Sequence, residues 1–237
     1  MQVTEVTDSF NLNNVVPFFQ PIMDLSNNAV WSYECLARLL TIDHNPYLPT
    51  EFLFLVERQQ SVAHLTQTVF SRSASYFRDI NMAWNINLSL SDMTDTDTLS
   101  FLQSQLADYP NPKRISIEIT AKNALLESAK FSHFCEICDA LGVNIVIDNF
   151  EQQECDLQAI LTLPISAIKV SAELFDKSGS DLVIADFVKS LISAATANNI
   201  AVIAERVEQK TTLEIVKNLG VKYAQGFYFS QPKANTN

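Results

Sequence analysis

Val143-Asn144-Ile145-Val146-Ile147-Asp148-Asn149 is the stretch on which the fold turns. A helical run over Phe131–Leu141 precedes it, and Gly142 stands where a left-handed helix cap is expected. The apolar run then stops at a carboxylate and an amide. A short run rich in Ile and Val between helical patterns reads as a strand buried in a parallel sheet. The same grammar recurs on both sides. Ala83–Leu90 carries Asn87, Arg114–Ile119 carries Glu118, and Ile165–Val170 carries Lys169. Ile200–Ala204 ends at Glu205, and Val221–Ala224 ends at Gln225. Strands and helices alternating in this way predict a barrel, which gathers the polar groups at its C-terminal strand ends into one mouth.

The beginning of the chain breaks the alternation. Val15–Ile22 and Ala29–Leu36 read as strands, and the Asp24-Leu25-Ser26-Asn27-Asn28 connection has no room for a crossover helix. Short connections join antiparallel strands. Counting this pair gives eight strands, so the expected architecture is α/β, a TIM-like (β/α)8 barrel with an antiparallel first strand. Helices are expected over Thr50–Ser75, with a break near Arg58–Ser61, and near Thr98–Ala107, Lys130–Leu141, Leu157–Leu163, Asp181–Asn198 and Thr211–Leu219. Residues 1–237 make one domain by this reading, with 1–13 and 233–237 as flexible polar tails.

The 237 residues suit one barrel, and 47% apolar composition fills a large core. No apolar stretch approaches the ~20 residues of a membrane helix, and the N-terminus lacks a signal pattern. A soluble cytoplasmic protein without membrane insertion is the expectation, although a domain cut from a larger receptor would read the same. The net charge of −11 argues against DNA or RNA as a partner. With only four glycines there is no phosphate cradle of P-loop or Rossmann type. Cys35, Cys135, Cys138 and Cys155 form no disulfide framework. Cys135 and Cys138 are spaced as CxxC, but within a helical run and without the second pair a structural zinc needs. His44, His64 and His133 are scattered.

Adding Glu34 from the second strand gives an acidic set of Glu34, Glu118, Asp148, Glu205 and Glu208, beside Asn87. Carboxylates crowded into one mouth raise one another's pKa values, and hard divalent cations relieve the repulsion. A two-metal site of this chemistry acts on phosphodiesters.

At this point the residues resemble the EAL-domain cyclic di-GMP phosphodiesterases, from about Phe18 to Pro232. Phe19-Gln20-Pro21-Ile22 is similar to the family's YQPI, and Glu34-Cys35-Leu36-Ala37-Arg38 occupies the ExLxR signature. Asn87-Leu88-Ser89 matches NLS, Glu118-Ile119-Thr120 the start of ExTE, and Asp148-Asn149-Phe150 stands at DDFG. Ile168-Lys169-Val170 resembles LKID, Ala204-Glu205-Arg206-Val207-Glu208 resembles AEGVE, and Gln225-Gly226-Phe227 with Pro232 resembles QGY…P. The resemblance implies Glu34, Asn87, Glu118 and Asp148 as first-metal ligands, with Asp148 bridging and Asn149 at the second ion, which would be Mg²⁺ or Mn²⁺. It implies Lys169 and Glu205 acting on the attacking water with Glu208 in support, and Gln20, Arg38 and Gln225 as substrate contacts. It also implies cyclic di-GMP as ligand, pGpG as product, and a homodimer or attached signalling domains as candidate partners.

The chain departs from the family on one side of the site. Asn149 replaces the second aspartate of DDFG and lacks its charge, while Ala121 and Ser171 replace acids of ExTE and LKID. The loop Glu151–Asp156 has lost both family glycines and gained acids. Arg206 replaces the glycine of AEGVE, either blocking the mouth or supplying compensating charge. Three readings follow: a domain that binds cyclic di-GMP with hydrolysis weak or absent, an active phosphodiesterase, and a nucleotide-independent interaction module.

Overall fold

In the computed structural model, residues 10–40, 46–150 and 156–236 are described. The first hairpin comprises β1 (Val15–Asp24) and β2 (Ala29–Leu40), paired antiparallel as expected. Its turn is built by side chains: Asp24 Oδ1 accepts from the Ser26 amide at 2.9 Å, and Asn27 Oδ1 accepts from the Ala29 amide at 3.0 Å. Asn28 takes the left-handed conformation at φ 56°, which asparagine tolerates. A two-residue strand, β3 (Pro46–Tyr47), is appended to β2.

The helical pattern over Thr50–Ser75 resolves into α1 (Pro49–Arg58) and α2 (Val62–Phe77), with Gln60 at φ 53° in the expected break. Strand and helix then alternate: β4 (Ala83–Asn87), α3 (Thr96–Ala107), β5 (Ile115–Thr120), α4 (Ala121–Leu126), α5 (Ser128–Leu141), β6 (Asn144–Phe150) and α6 (Leu157–Leu161). The chain finishes with β7 (Ala167–Ser171), α7 (Ala172–Ser178), α8 (Leu182–Ala197), β8 (Ala201–Glu205), α9 (Lys210–Asn218) and β9 (Tyr223–Gln225). Two short helices, α4 and α7, were not legible in the sequence. Each starts directly at a strand end, where Thr120 or Ser171 accepts a backbone N–H as N-cap at 3.3 Å. Ser171 is thereby committed to the backbone, and Ala121 is fully buried in the core.

Strand order is β1-β9-β8-β7-β6-β5-β4-β2, and the β1–β2 pairing closes the ring. β1 runs antiparallel to both neighbours, while the other ring pairings are parallel. Side chains alternate along each strand, and burial follows that period. On β6, Ile145 and Ile147 join the large core between sheet and helices, whereas Val146 joins Ile22, Ala167 and Ile203 in a separate apolar cluster inside the ring. Two residues further toward the mouth from those four stand Asp148, Gln20, Lys169 and Glu205. The interior is therefore layered, an apolar floor beneath a polar storey. On the outer side Trp84, Phe70 and Phe77 interlock through ring contacts of 5.4 and 6.1 Å, fixing α2 against β4.

Residues 233–236, expected as a flexible tail, are hydrogen-bonded to the barrel wall. Lys233 and Phe19 exchange backbone hydrogen bonds of 2.7 and 3.0 Å, and the Thr236 amide donates to the Tyr76 hydroxyl at 3.0 Å. At the other end, Arg72 donates to the Asn13 carbonyl at 2.9 Å; residues 1–9 lie outside the described residues. Among the described residues no helix is long and apolar enough to cross a membrane.

Candidate active site at the barrel mouth

The polar storey is wired together by one lysine. Lys169 on β7 is 1% exposed, and its Nζ donates to Glu34 Oε2 at 2.8 Å and to Glu118 Oε2 at 2.7 Å. Glu34 also accepts from Asn87 Nδ2 at 2.8 Å and from Gln225 Nε2 at 2.7 Å. Gln225 donates to Gln20 Oε1 at 3.1 Å, and Gln20 in turn donates to the Ser230 carbonyl at 3.1 Å. Six of the residues expected from the sequence thus form one network. Two members were missed: Asn85 Nδ2 donates to Glu118 Oε1 at 2.8 Å, and Ser32 Oγ donates to Asn85 Oδ1 at 2.7 Å. Both stand two residues before a chosen site residue, so strand alternation was the available signal.

A second group borders the first. Asn149 Nδ2 donates to Asp148 Oδ2 at 2.8 Å, and the Arg206 guanidinium donates to Asn149 Oδ1 at 3.2 Å. Asn149 and Arg206 both have left-handed backbones, at φ 50° and 58°. The amide oxygen expected at a second ion is occupied by a guanidinium.

The remaining residues are less central. Glu205 and Glu208 line a cavity of about 310 Å³ with Gln20, Glu34, Gln225 and Phe227. Glu208 is exposed at its rim. Arg38 is buried on β2 four residues beyond Glu34, on the outer side of the polar storey; it donates to the Ala37 carbonyl at 2.8 Å, and its guanidinium lies 5.9 Å from the Phe18 ring centre. It does not line the cavity. Gly226 closes the wall at φ 156°, packed so tightly on the Val207 backbone that a Cβ there would overlap it. Cys35, Cys135 and Cys138 are free, buried thiols with pKa values raised by burial, which leaves them unreactive. Cys155 and the loop positions 151–155 lie outside the described residues.

The electrostatics follow from too few cations. At Glu34 burial is outweighed by the Lys169 charge and by hydrogen bonds from Lys169, Gln225 and Asn87, which hold the carboxyl at about 2. Glu118 goes the other way: burial and the Glu34 charge push it well up despite Lys169. One ammonium shared by two carboxylates can fully neutralise only one, so their pKa values split. Burial also raises Asp148 against the pull of Lys169, and burial together with Asp148 lifts Glu205 to about 7. Burial alone would lower the Lys169 pKa, but the charges of Glu118, Glu34, Asp148 and Glu205 around it raise it well above the usual lysine value.

Among the described residues no three acidic, histidine or cysteine side chains are disposed to hold a metal ion. The donor chemistry nevertheless fits one. Four carboxylates face Lys169 and Arg206, and Asp148 Oδ1 is a buried oxygen without a partner. A hard cation drawn to Asp148, with Glu34, Glu118 and Asn87 as neighbouring oxygen donors, would supply the missing charge. Asn149 is engaged by Asp148 and Arg206.

A family model described as EAL domain matches residues 3–232. Among curated proteins the chain is similar to the bifunctional diguanylate cyclase/cyclic di-GMP phosphodiesterase MucR of Pseudomonas aeruginosa, 24% identical over 96% of this chain and 34% of that protein. It is also similar to the cyclic di-GMP phosphodiesterase PdeA of Borreliella burgdorferi, 22% identical over 91% of this chain and 33% of that protein. The chain spans about a third of the length of these relatives. The FimX EAL domain from Pseudomonas aeruginosa, solved bound to c-di-GMP, superimposes with a TM-score of 0.86 at 19% identity, covering 100% of this chain and 98% of that one. At such identity this likeness speaks for the fold.

Proposed function

The chain belongs to the EAL domain family, and from that premise we propose that it binds cyclic di-GMP at the barrel mouth, with hydrolysis weak or absent. One observation carries the reading. Two buried oxygens without partners, Asp148 Oδ1 and Gln225 Oε1, sit in the same mouth. Buried acceptors left unpaired are costly and are rare in folded proteins. A guanine N–H suits Gln225, beside Gln20, and a cation suits Asp148. Arg38 is assigned to substrate as well, from the β2 end beyond Glu34.

In this reading Glu34, Asn87, Glu118 and Asp148 hold one Mg²⁺ or Mn²⁺, with Asn149 a poor donor for a second. A bound ion supplies Lewis acidity toward a phosphate oxygen. Lys169 locks Glu34 and Glu118 in register, so the donor set is ready before ligand arrives. Glu205, lifted to about 7, is matched to accepting a proton from water near neutral pH. Glu208 supports it from the rim. Hydrolysis is impaired because Asn149 brings no charge to the side where a second ion would stand.

Calorimetry with cyclic di-GMP and Mn²⁺, followed by separation of the nucleotides, tests the proposal. Micromolar or tighter binding with the nucleotide recovered intact is expected; absence of binding would refute it. An active phosphodiesterase giving pGpG is the second reading, favoured by the intact network of Lys169, Glu34, Glu118 and Asn87. Rapid appearance of pGpG, abolished in Glu34→Ala, would favour this reading instead.

A further inference from the structure

Arg206 has a feature that the mouth's other residues lack: a cationic fork with spare donors facing open space. Its backbone sits at φ 58° between Glu205 and the buried Val207. Left-handed backbone is unfavourable for a residue with a Cβ. The conformation turns residue 206 outward from the end of β8, where it is exposed. From there the guanidinium reaches across to β6 and donates to Asn149 Oδ1, at 3.2 Å. Asn149 is braced in turn by its own hydrogen bond to Asp148 Oδ2, at 2.8 Å. The arginine is thus held by a strut anchored in the polar storey.

A guanidinium carries five N–H donors. Among the described residues one of them is used, because the Asn149 contact is its hydrogen bond. The residue stands in the wall shared by two adjoining cavities, of about 310 and 230 Å³. Among the described residues it is the one basic side chain in either wall. The same walls carry Glu34, Glu205 and Glu208 on one side and Glu173 and Asp176 on the other. Among the charged side chains in these two walls, Arg206 is the one that offers a phosphodiester positive charge.

We infer that Arg206, braced by Asn149, is a phosphate-binding residue of this domain, and that it allows the cyclic dinucleotide to bind without any divalent ion. Planar forks pair with phosphate oxygens through two parallel hydrogen bonds. This inference rests on the proposed binding of cyclic di-GMP and names the group that makes it independent of metal.

The test is calorimetric titration of the whole chain with cyclic di-GMP in EDTA, and again in Mn²⁺. The parent is expected to bind in EDTA. Arg206→Gln should weaken that binding at least about tenfold, as loss of a charge-assisted hydrogen bond does. Arg206→Lys should recover part of the loss, and Asn149→Ala should weaken binding less than Arg206→Gln. Melting temperature checks the fold, and Arg206→Gly, which relieves the left-handed residue, serves as a second charge-removing variant that should remain folded. Binding by the parent only in Mn²⁺, or undiminished binding by folded Arg206→Gln and Arg206→Gly in EDTA, overturns the role of Arg206 and leaves the proposed function standing. No binding under either condition overturns both.

Discussion

Replacing Lys169 by methionine removes the one cation inside the polar storey while keeping most of its volume. Its Nζ makes contacts of 2.8 and 2.7 Å with Glu34 and Glu118, in a site where the lysine is 1% exposed. Truncating one partner of a buried ion pair costs about 3–5 kcal/mol. For a chain of this length that lowers the melting temperature by roughly 6–20 °C. The loss should depend on pH, with a sign that can be worked out. In the parent, Glu34 is depressed to about 2, so its stabilising contribution is complete above the usual carboxyl value and does not change between pH 5 and 7. Without the lysine, burial drives the Glu34 carboxyl up, and the folded variant takes up a proton that the unfolded chain lacks. Stability then falls as pH rises, by about 1.4 kcal/mol per unit per proton. The penalty of Lys169→Met should therefore be smaller at pH 5 than at pH 7 by up to about 2.7 kcal/mol. Urea unfolding of parent and variant at both pH values measures the difference. A variant as stable as the parent, or an equal penalty at both pH values, would refute the reasoning.

Asn149→Asp restores a carboxylate beside Asp148 and should raise Mn²⁺ affinity and pGpG formation at least about tenfold, measured by metal titration and nucleotide separation. Gly226→Ala places a Cβ into the Val207 backbone and should destabilise by about 1–3 kcal/mol, seen as a lower urea midpoint. Glu205, lifted to about 7 from an ordinary 4.5, carries no penalty at low pH and an increasing one as pH rises between those values. The metal-free protein should lose up to about 3 kcal/mol from this group by pH 8. Melting in EDTA at pH 5.5 and 8 tests this: Glu205→Gln should flatten the profile, and added Mn²⁺ should raise the value at pH 8.

Much of the site was legible because strand alternation is a local rule. Once a run such as Val143–Ile147 is read as a strand, the period of two decides which residues face the interior, and Asp148 follows from Val146. The hairpin Asp24–Asn28, the break near Gln60 and the cap at Gly142 were legible for the same reason, since turn chemistry involves near neighbours. The short helices α4 and α7 were not. Each is anchored by a single Thr or Ser at a strand end, and six or seven residues carry too little periodicity to register.

Sequence alone determined the antiparallel opening and the set of polar residues at the strand ends, because each depends on residues a few positions apart. Only tertiary structure decided who holds whom. Lys169 meets Glu34 across 135 positions and Gln225 meets Gln20 across 205, and Arg206 is carried to Asn149 across 57. Those pairings follow from barrel closure and strand stagger, which set distances between side chains on different strands. No local pattern encodes those distances, and the charge balance of the mouth depends on them.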